Sequence, residues 1–376
     1  MVSFLQPPAQ IPFTDLRPLL RETEAEWRGA LARVFERGRF ILGEEVAAFE
    51  REFAAETGAA HAAGVGSGTA ALELCLRAAG LGGSGREVLT SPLTAPFTGL
   101  AILAAGCKPR FADIERDSLL LSWSEVASRA TTRTAAIIPV HLYGQPCDMR
   151  AFARLARGLR AVLVQDACQA HGARCGERPL TAFSPYVAYS FYPTKNLGCL
   201  GDGGAVATDR AAAAAKVRLL RDGARTANHV SREPAVNARL DELQACFLRV
   251  FLPRLRARNE QRRRLAALYH EALAGCSGIE PVRQCAGSVY HLFVVRAQRR
   301  QRLRKYLEQR GVATAVHYPV PLHLQPAFRD GGLHPDLPEA ERACREIVSL
   351  PLWPGMADGD VLRAAECVRS FYAGRP

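Results

Sequence analysis

The sequence has few lysines, no long hydrophobic stretch and no paired cysteines. No segment reaches the roughly 18 consecutive apolar residues that a membrane-spanning helix needs, and the first residues lack the basic-then-apolar pattern of a secretory signal. The eleven cysteines stand singly, without a C-x-x-C pair, and the nine histidines show no ligand spacing. We therefore predict a cytoplasmic protein with reduced cysteines, no metal site and no membrane partner.

Positive charge is in excess, with a formal net charge of +12. The densest cluster of basic residues lies on a long helical pattern and comprises Arg254, Arg256, Arg258, Arg262, Arg263 and Arg264. Aromatic residues do not alternate with these arginines, so we interpret the cluster as a solvated face or a subunit contact, and we do not expect a nucleic-acid partner. Small anionic substrates fit the charge balance at least as well.

Short apolar runs alternate with helical patterns between about residues 45 and 225. The predicted strands are His61–Gly66, Glu87–Ser91, Lys108–Ile114, Thr134–His141, Arg160–Ala167, Tyr186–Tyr192 and Gly203–Asp209. The predicted helices include Ala70–Ala79, Met149–Gly158 and Arg210–Arg221. This alternation predicts an α/β fold with a mostly parallel sheet that is covered on both faces and binds ligands at the carboxyl ends of its strands.

The rest of the chain predicts a smaller α+β domain. A long helical pattern over Leu240–Ala274 should be kinked at Pro253. Two strand-like runs follow, His291–Val295 and Ala313–Tyr318, and the remaining helical patterns are Gln301–Gln309, Pro338–Ile347 and Asp358–Phe371. We divide the chain into an N-terminal arm (1–45), a large α/β domain (46–250) and a small C-terminal domain (251–376).

Lys195 differs from the other three lysines of the chain. Lys108 opens a strand, and Lys216 and Lys305 lie in helical patterns, where surface lysines are common. Lys195 lies in SFYPTKNLGCLGDGGA, between an apolar strand and a glycine-rich turn. Functional residues concentrate in such strand-end loops, although a solvated loop lysine remains the more frequent explanation of this feature alone.

Asp166 ends the apolar run RAVLVQD. A carboxylate at that position is costly unless something pairs with it, although an aspartate capping the next helix would look similar. The functional interpretation is that Asp166 faces the ring nitrogen of pyridoxal 5′-phosphate (PLP), because PLP chemistry needs a lysine and an acid that keeps the ring protonated.

The segment GVGSGTAAL, residues 64–72, predicts a strand, a tight turn and the start of a helix. Free N–H groups at a helix start bind phosphate, and Ser67 and Thr69 add hydroxyl groups. A plain capped turn would also explain this segment taken alone. Together with Lys195 and Asp166, however, it predicts a PLP site.

These features resemble the nucleotide-sugar aminotransferase family (DegT/StrS type) within the fold-type-I PLP enzymes. The resemblance runs through nearly the whole chain. It rests on IPFTDL, FILGEEVAAFEREFA, GSGTAALELCLRAAGL, IIPVHLYGQPCDM, QDACQAHGA, SFYPTKNLGCLGDGGA, NARLDELQA and HYPVPLHLQPAF. It implies a large, mostly parallel seven-stranded sheet domain with a smaller C-terminal domain.

The resemblance also implies a role for each matching position. Lys195 would form the Schiff base with PLP, Asp166 would pair with the ring nitrogen, and Gln169 would lie near the ring. Contacts with the phosphate are implied for Gly68, Thr69, Ser190 and, from a neighbouring subunit, Asn237. The substrate side would include His317 and Tyr318. The family commonly has an aromatic residue over the ring where this chain has Ala95, so we predict that Phe97 or a residue from elsewhere covers it.

The implied reaction is transamination of a keto sugar carried on a nucleotide diphosphate, with glutamate as donor and pyridoxamine phosphate (PMP) formed during turnover. The product would be an amino sugar for antibiotic or cell-surface glycan biosynthesis. The role of Asn237 implies a homodimer with shared active sites. The YGQ block and the D-x-x-Q spacing most resemble members that act on 3-keto-6-deoxyhexoses.

Other functions stay open. Some family members act on 4-keto sugars or keto-cyclitols, which a single sequence does not distinguish. A non-catalytic regulatory protein with the same fold is a second alternative, although the complete set of Lys195, Asp166 and the phosphate-binding segment argues against it. Related sugar dehydratases carry a histidine at the lysine position, so Lys195 argues against that activity.

Overall fold

The computed structural model describes residues 10–328 and 336–374 of the chain. The first nine residues of the predicted arm lie outside the described residues. The strands are β1 (His61–Val65), β2 (Glu87–Thr90), β3 (Lys108–Phe111), β4 (Thr134–Ile138), β5 (Val162–Asp166), β6 (Arg174–Cys175), β7 (Arg178–Pro179), β8 (Tyr186–Ser190), β9 (Gly204–Thr208), β10 (Ile279–Pro281), β11 (Phe293–Ala297) and β12 (Ile347–Leu350).

The helices surround these strands and are numbered in chain order. They are α1 (Arg17–Glu22), α2 (Glu24–Arg37), α3 (Glu44–Thr57), α4 (Gly68–Ala78), α5 (Pro96–Ala104), α6 (Trp123–Arg129), α7 (Met149–Leu159), α8 (Ala211–Leu220), α9 (Glu242–Phe251), α10 (Leu255–Ala272), α11 (Arg300–Gln309), α12 (Pro338–Glu346) and α13 (Asp358–Tyr372). None of the helices in the described ranges is long and apolar enough to cross a membrane.

Seven strands form the large sheet in the order β1-β9-β8-β5-β4-β2-β3. The pairs from β8 to β3 are parallel, whereas β9 runs antiparallel to both of its neighbours. All seven predicted runs contain these strands, and the predicted mostly parallel α/β fold is confirmed.

Helices cover both faces of the large sheet because neighbouring residues of each strand point to opposite sides. On β8, Val187 and Tyr189 pack into the core that includes Phe49 of α3 and Leu248 of α9. Ala188, between them, packs into the core that contains α4, α5 and α8. Both faces of the strands are therefore buried.

A second sheet, β10-β11-β12, is antiparallel and packs against α10, α11 and α13. The predicted kink at Pro253 is present as a short 3₁₀ turn, Leu252–Arg254, between α9 and α10. The two sheets lie within the predicted ranges 46–250 and 251–376, but the boundaries of the three predicted domains stay a prediction.

One predicted strand is wrong. Ala313–Tyr318 makes only a single bridge, in which Ala315 exchanges main-chain hydrogen bonds with Ser349. The third strand of the small sheet is instead Ile347–Leu350, whose first residue ends the predicted helical pattern Pro338–Ile347. The main chain leaves the sheet after Ala315, although the side chain of His317 still contacts β12, with its Nδ1 2.9 Å from Ser349 Oγ. Pro319 has no N–H for a ladder.

The basic cluster, which runs from Arg254 into α10, is mostly paired within the chain. Arg254 contacts Glu22 at 3.1 Å, and Arg256 contacts Glu56 at 3.1 Å. Of the two predicted interpretations, a solvated face is wrong for Arg262, since it is 5% exposed and donates to main-chain carbonyls, including that of Leu352 at 3.1 Å. Intramolecular pairing therefore accounts for much of the clustered positive charge.

Candidate active site

The loops that follow β5 and β8 bring the two main candidate residues to one edge of the large sheet. Asp166 is the last residue of β5, and Lys195 lies in the loop after β8. The two strands pair directly, with Asp166 opposite Ala188. Because β5 and β8 are parallel, both residues lie at carboxyl ends of strands, where α/β sheets bind ligands.

Asp166 is 4% exposed, and neutral groups hold its carboxylate. Thr98 Oγ1 donates to Oδ2 at 2.8 Å, and the main-chain N–H of Cys168 donates to Oδ1 at 3.1 Å. Thr98 also contacts Thr94, with their hydroxyl oxygens 3.1 Å apart. Asp166 forms no ion pair with the described residues, so this buried carboxylate can accept a cationic ligand.

Lys195 is half-buried, and its amine forms no hydrogen bond or ion pair with any residue in the described parts of the chain. Burial lowers the pKa of Lys195, and the neighbouring Cys168 and Asp166 only partly oppose this shift. A lysine with a lowered pKa supplies more of the neutral amine, which is the form that acts as a nucleophile or a base.

Helix α4 presents its N-terminus at the same edge. Ser67 caps the helix by accepting a hydrogen bond from the N–H of Ala70 at 3.1 Å. The other N–H groups of the first turn have no partner inside the helix. A Cβ on Gly68 would lie 2.6 Å from Ser190 Cβ and 2.8 Å from Cys168 Sγ, so only glycine lets the helix start this close to β8. Gly68 is thus adjacent to Ser190, and Thr69 follows it in the first turn of α4, while their predicted contacts with a phosphate stay a prediction.

Gln169 connects the loop after β5 to the C-terminal part of the chain. Its Oε1 accepts from the N–H of Tyr143 at 2.7 Å, and its Nε2 donates to Tyr318 Oη at 3.1 Å. Tyr143 in turn donates its hydroxyl to the carbonyl of His317 at 2.5 Å. Both predicted substrate-side residues, His317 and Tyr318, therefore lie at the site.

The histidines near Lys195 are neutral at neutral pH. Burial, with a contribution from the charge of Lys195, lowers the pKa of His171 to about 3 and that of His317 to about 4. Burial lowers the pKa of His291 well below its ordinary range for the same reasons. Burial thus favours the neutral form of these three histidines and of Lys195 alike.

Two predicted residues lie apart from these contacts. Phe97, in the first turn of α5, is 59% exposed. Asn237 is also exposed, and its main chain forms a bridge with Asp222. Neither forms a side-chain hydrogen bond with the other predicted residues among those described. The roles assigned to them stay predictions.

Sequence reasoning missed two residues that support the site. Thr98 holds Asp166 from the first turn of α5, and no pattern in the sequence distinguishes it from other helical threonines. Tyr143 adopts a left-handed backbone conformation, with φ of +60°, that directs its N–H to Gln169. In the sequence, the one indication that Tyr143 supports Gln169 is its position in the YGQ block.

The residues present fit PLP. A buried carboxylate without a cationic partner among the described residues suits a protonated ring nitrogen. An amine without a hydrogen-bond partner in the same part of the chain suits attachment of the cofactor. The first-turn N–H groups of α4 suit a phosphate. Within the described ranges, no group of three or more His, Cys, Asp or Glu residues could hold a metal ion.

Comparisons with known proteins agree with this geometry. The model of the DegT/DnrJ/EryC1/StrS aminotransferase family matches residues 21–369. A Streptomyces venezuelae protein named dTDP-3-amino-3,4,6-trideoxy-alpha-D-glucose transaminase is 43% identical, over 96% of each chain. A Geobacillus stearothermophilus protein named pleiotropic regulatory protein is 38% identical, over 96% of this chain and 98% of that one.

Solved structures share the whole fold. S. venezuelae DesV, solved in complex with a ketimine intermediate, superposes with a TM-score of 0.93 at 42% identity, covering 98% of this chain and 99% of that one. A Bacillus subtilis neighbour with bound PMP has a TM-score of 0.89 at 27% identity, covering 97% of this chain and 86% of that one.

Proposed function

The chain belongs to the DegT/DnrJ/EryC1/StrS aminotransferase family, and from that premise we propose that it aminates a keto sugar carried on a nucleotide diphosphate. Membership confirms the predicted resemblance and the predicted class of enzyme, a PLP-dependent transaminase. It also confirms PLP as the cofactor. The substrate, the donor, the subunit arrangement and the residue roles below are proposals.

One observation carries the proposal: Lys195 and Asp166 lie at the carboxyl ends of neighbouring strands. Among the described residues, Lys195 has no hydrogen-bond partner and Asp166, which is buried, forms no ion pair. When bound, PLP withdraws electrons from the carbon that bears the amine. Asp166 would hold the ring nitrogen in its charged form. The N–H groups of Gly68 and Thr69, with Ser190, would bind the phosphate, and Gln169 would orient the ring.

Lys195 would both hold the cofactor and move the proton. Once the donor amine has displaced it from the cofactor, neutral Lys195 Nζ would take the proton from Cα of the donor and pass it to the cofactor. In the second half-reaction, the same nitrogen would carry a proton from the cofactor to the former keto carbon of the sugar. The lowered pKa of Lys195 favours the neutral form that the first step needs.

We propose a 3-keto-6-deoxyhexose as the acceptor and glutamate as the donor. The YGQ block and the D-x-x-Q spacing support this choice, and the name of the Streptomyces relative describes a 3-amino sugar. The amino sugar would enter antibiotic or cell-surface glycan biosynthesis, and a cytoplasmic location remains the prediction from sequence. His317 and Tyr318 would contact the substrate.

A homodimer with shared active sites is part of the proposal. Asn237 is exposed. The carbonyl of the next residue, Ala238, accepts a hydrogen bond from the N–H of Gly66, at the start of the phosphate-binding turn. Several large apolar side chains are also exposed, including Phe35, Phe40 and Val230. An Asn237 that reaches a neighbouring subunit's phosphate would explain its place on the surface.

Two other functions remain. A 4-keto-sugar or keto-cyclitol acceptor would require only local changes around the substrate. The name of the Geobacillus relative raises the possibility of a regulatory protein, but the contacts of Asp166 and the lowered pKa of Lys195 favour catalysis.

Absorbance of the holoenzyme tests the proposal most directly. We expect a visible band from cofactor attached to Lys195, which L-glutamate bleaches and a nucleotide-linked 3-keto-6-deoxyhexose restores. Keto-cyclitols and 4-keto sugars are the comparison acceptors. A Lys195→Ala variant should lose turnover, and steady turnover by that variant would refute its role. A band that persists in saturating glutamate would exclude glutamate as the donor.

Mixed dimers test the shared site. An Asn237→Ala variant and a Lys195→Ala variant are each expected to be impaired. Mixing them should restore some activity, because one of the two sites in a mixed dimer keeps both residues. Verified mixed dimers without recovery would contradict the sharing of Asn237.

A further inference from the structure

The loop that carries Lys195 is anchored by the residue after it. Asn196 is 9% exposed, and its side chain makes three hydrogen bonds. Its Nδ2 donates to Asn259 Oδ1 at 2.8 Å and to the carbonyl of Val289 at 3.0 Å, and its Oδ1 lies 3.0 Å from His291 Nδ1. These contacts hold the Lys195 loop from the C-terminal part of the chain.

Backbone carbonyls fix the direction of these bonds. A carbonyl can only accept, so the carbonyl of Val289 requires Nδ2 of Asn196 on that side. In the same way, the carbonyl of His171 accepts from Asn259 Nδ2 at 2.8 Å, which leaves Asn259 Oδ1 facing Asn196. Neutral His291 must then donate through Nδ1. Each amide group therefore has one orientation.

Asn259 thereby joins two segments that are distant in sequence. His171 lies five residues after Asp166 in the loop that follows β5, and Asn196 follows Lys195 in the loop after β8. Asn259, on α10, is 3% exposed and bonds to both loops. The contact with the first loop is close, because a Cβ on Gly172 would lie 2.9 Å from Asn259 Nδ2.

We propose that Asn259 is a positioning residue for transamination, whose side-chain amide joins the Asp166 loop to the Lys195 loop and sets the distance between their reactive groups. The inference rests on the proposed roles of Lys195 and Asp166. Asn259 itself does not touch the reacting atoms. It acts through Asn196 on one side and the carbonyl of His171 on the other.

Two isosteric variants test the inference. Asn259→Leu keeps the branched shape and removes both hydrogen bonds, whereas Asn259→Asp keeps the acceptor that faces Asn196. The control is Glu260→Gln at the next residue of α10. It also exchanges a carboxylate and an amide, but the Glu260 side chain is 72% exposed. Each is studied as folded holoenzyme of known PLP content.

The main measurement needs no substrate. The absorbance of the visible band is titrated against pH, and the midpoint is the pKa of the Lys195 nitrogen while the cofactor is attached to it. Since that pKa depends on the distance to Asp166, we expect it to change by at least about 0.5 in Asn259→Leu and by less in Asn259→Asp. The rate of bleaching by L-glutamate should fall about 10- to 100-fold in Asn259→Leu. The control should match the wild type in both.

A role in folding alone would lower thermal stability and leave both measurements unchanged, and this result in Asn259→Leu would overturn the inference. If Asn259→Leu does not fold, Asn259→Asp decides, because it also loses the bond to the carbonyl of His171. An unchanged pKa and an unchanged bleaching rate in Asn259→Asp would then overturn the inference. A wild type without a visible band that depends on Lys195 would instead refute the proposed role of Lys195, and the inference with it. A band that glutamate fails to bleach removes only the proposed donor, and the pKa measurement still decides.

Discussion

Replacing Asp166 by asparagine should separate the charge of this residue from its structural role. The environment of Asp166 suits an amide as well as a carboxylate. In the Asp166→Asn variant, the amide oxygen would still accept from the N–H of Cys168, and the amide nitrogen would donate to Thr98 Oγ1. The Thr98 hydroxyl is then able to donate to Thr94, which lies 3.1 Å away. We therefore expect Asp166→Asn to fold with a free energy of unfolding within about 1 kcal/mol of the wild type.

Catalysis should respond very differently. In the proposed mechanism, Asp166 forms a buried ion pair with the cofactor ring, and losing one partner of such a pair costs about 3–5 kcal/mol. At about 1.36 kcal/mol for each factor of ten, the loss corresponds to about a 10²- to 10⁴-fold slower half-reaction. The introduced amide cannot supply the negative charge, so no rotation of Thr98 can restore the rate.

The assay is single-turnover bleaching of the visible band by L-glutamate, together with urea unfolding of the same preparation. The double variant Asp166→Asn, Thr98→Val supplies the control for the hydrogen-bond argument. It should lose about a further 1–3 kcal/mol of stability, because the amide N–H no longer has an acceptor. A rate for Asp166→Asn within about tenfold of the wild type would refute the proposed role of the charge.

Three further predictions concern the support of the site and of the fold. Gly68→Ala should raise the Kd for PLP at least about tenfold, because its Cβ would lie 2.6 Å from that of Ser190. The matched control is Gly29→Ala on α2, where an added Cβ would meet no described residue within 4 Å outside its own helix and chain neighbours, and it should leave the Kd unchanged in the same fluorescence titration. Glu242→Ala should lower the free energy of unfolding in urea by about 2–4 kcal/mol, since its carboxylate accepts three main-chain N–H groups at the start of α3, at 2.8–2.9 Å; an unchanged midpoint would contradict this. Although burial favours protonation of Glu45, surrounding arginines hold its pKa below the ordinary value. The Glu45 carboxylate should therefore stabilise the fold above the ordinary glutamate pKa of about 4.3, and this stabilisation should be lost as the pH falls from there through the lowered pKa. Glu45→Gln should therefore weaken the acid-dependent part of the stability curve.

Much of the large sheet could be predicted from sequence because its strands are buried on both faces. Such strands appear as continuous apolar runs, and a carboxylate that ends one of them, as Asp166 does, stands out because its burial needs a partner. Lys195 could be selected because the other three lysines lie at ordinary surface positions. The clues to the proposed catalytic pair were thus local in the sequence.

The remaining contacts depend on residues that meet only in the folded chain. Glu242 caps a helix that begins at Glu44, and Asn259 bonds to carbonyl and amide groups 88 and 63 residues away. Nothing local marks either residue as different from any other polar residue on a helix. The third strand of the small sheet could not be predicted either. Ile347–Leu350 is only four residues long and directly follows a helix, so its apolar residues look like a continuation of the helical pattern.

The direct pairing of β5 with β8 has a consequence for engineering this enzyme. The separation of Asp166 from the strand that leads to Lys195 is set by main-chain hydrogen bonds inside a buried sheet, which most substitutions leave intact. His317 and Tyr318 belong to a different part of the chain, outside any strand. With His317 and Tyr318 contacting the substrate as proposed, a library of variants confined to residues 317–323 would vary the sugar that is accepted and leave Asp166 and Lys195 in place. A search for new amino-sugar products should begin there.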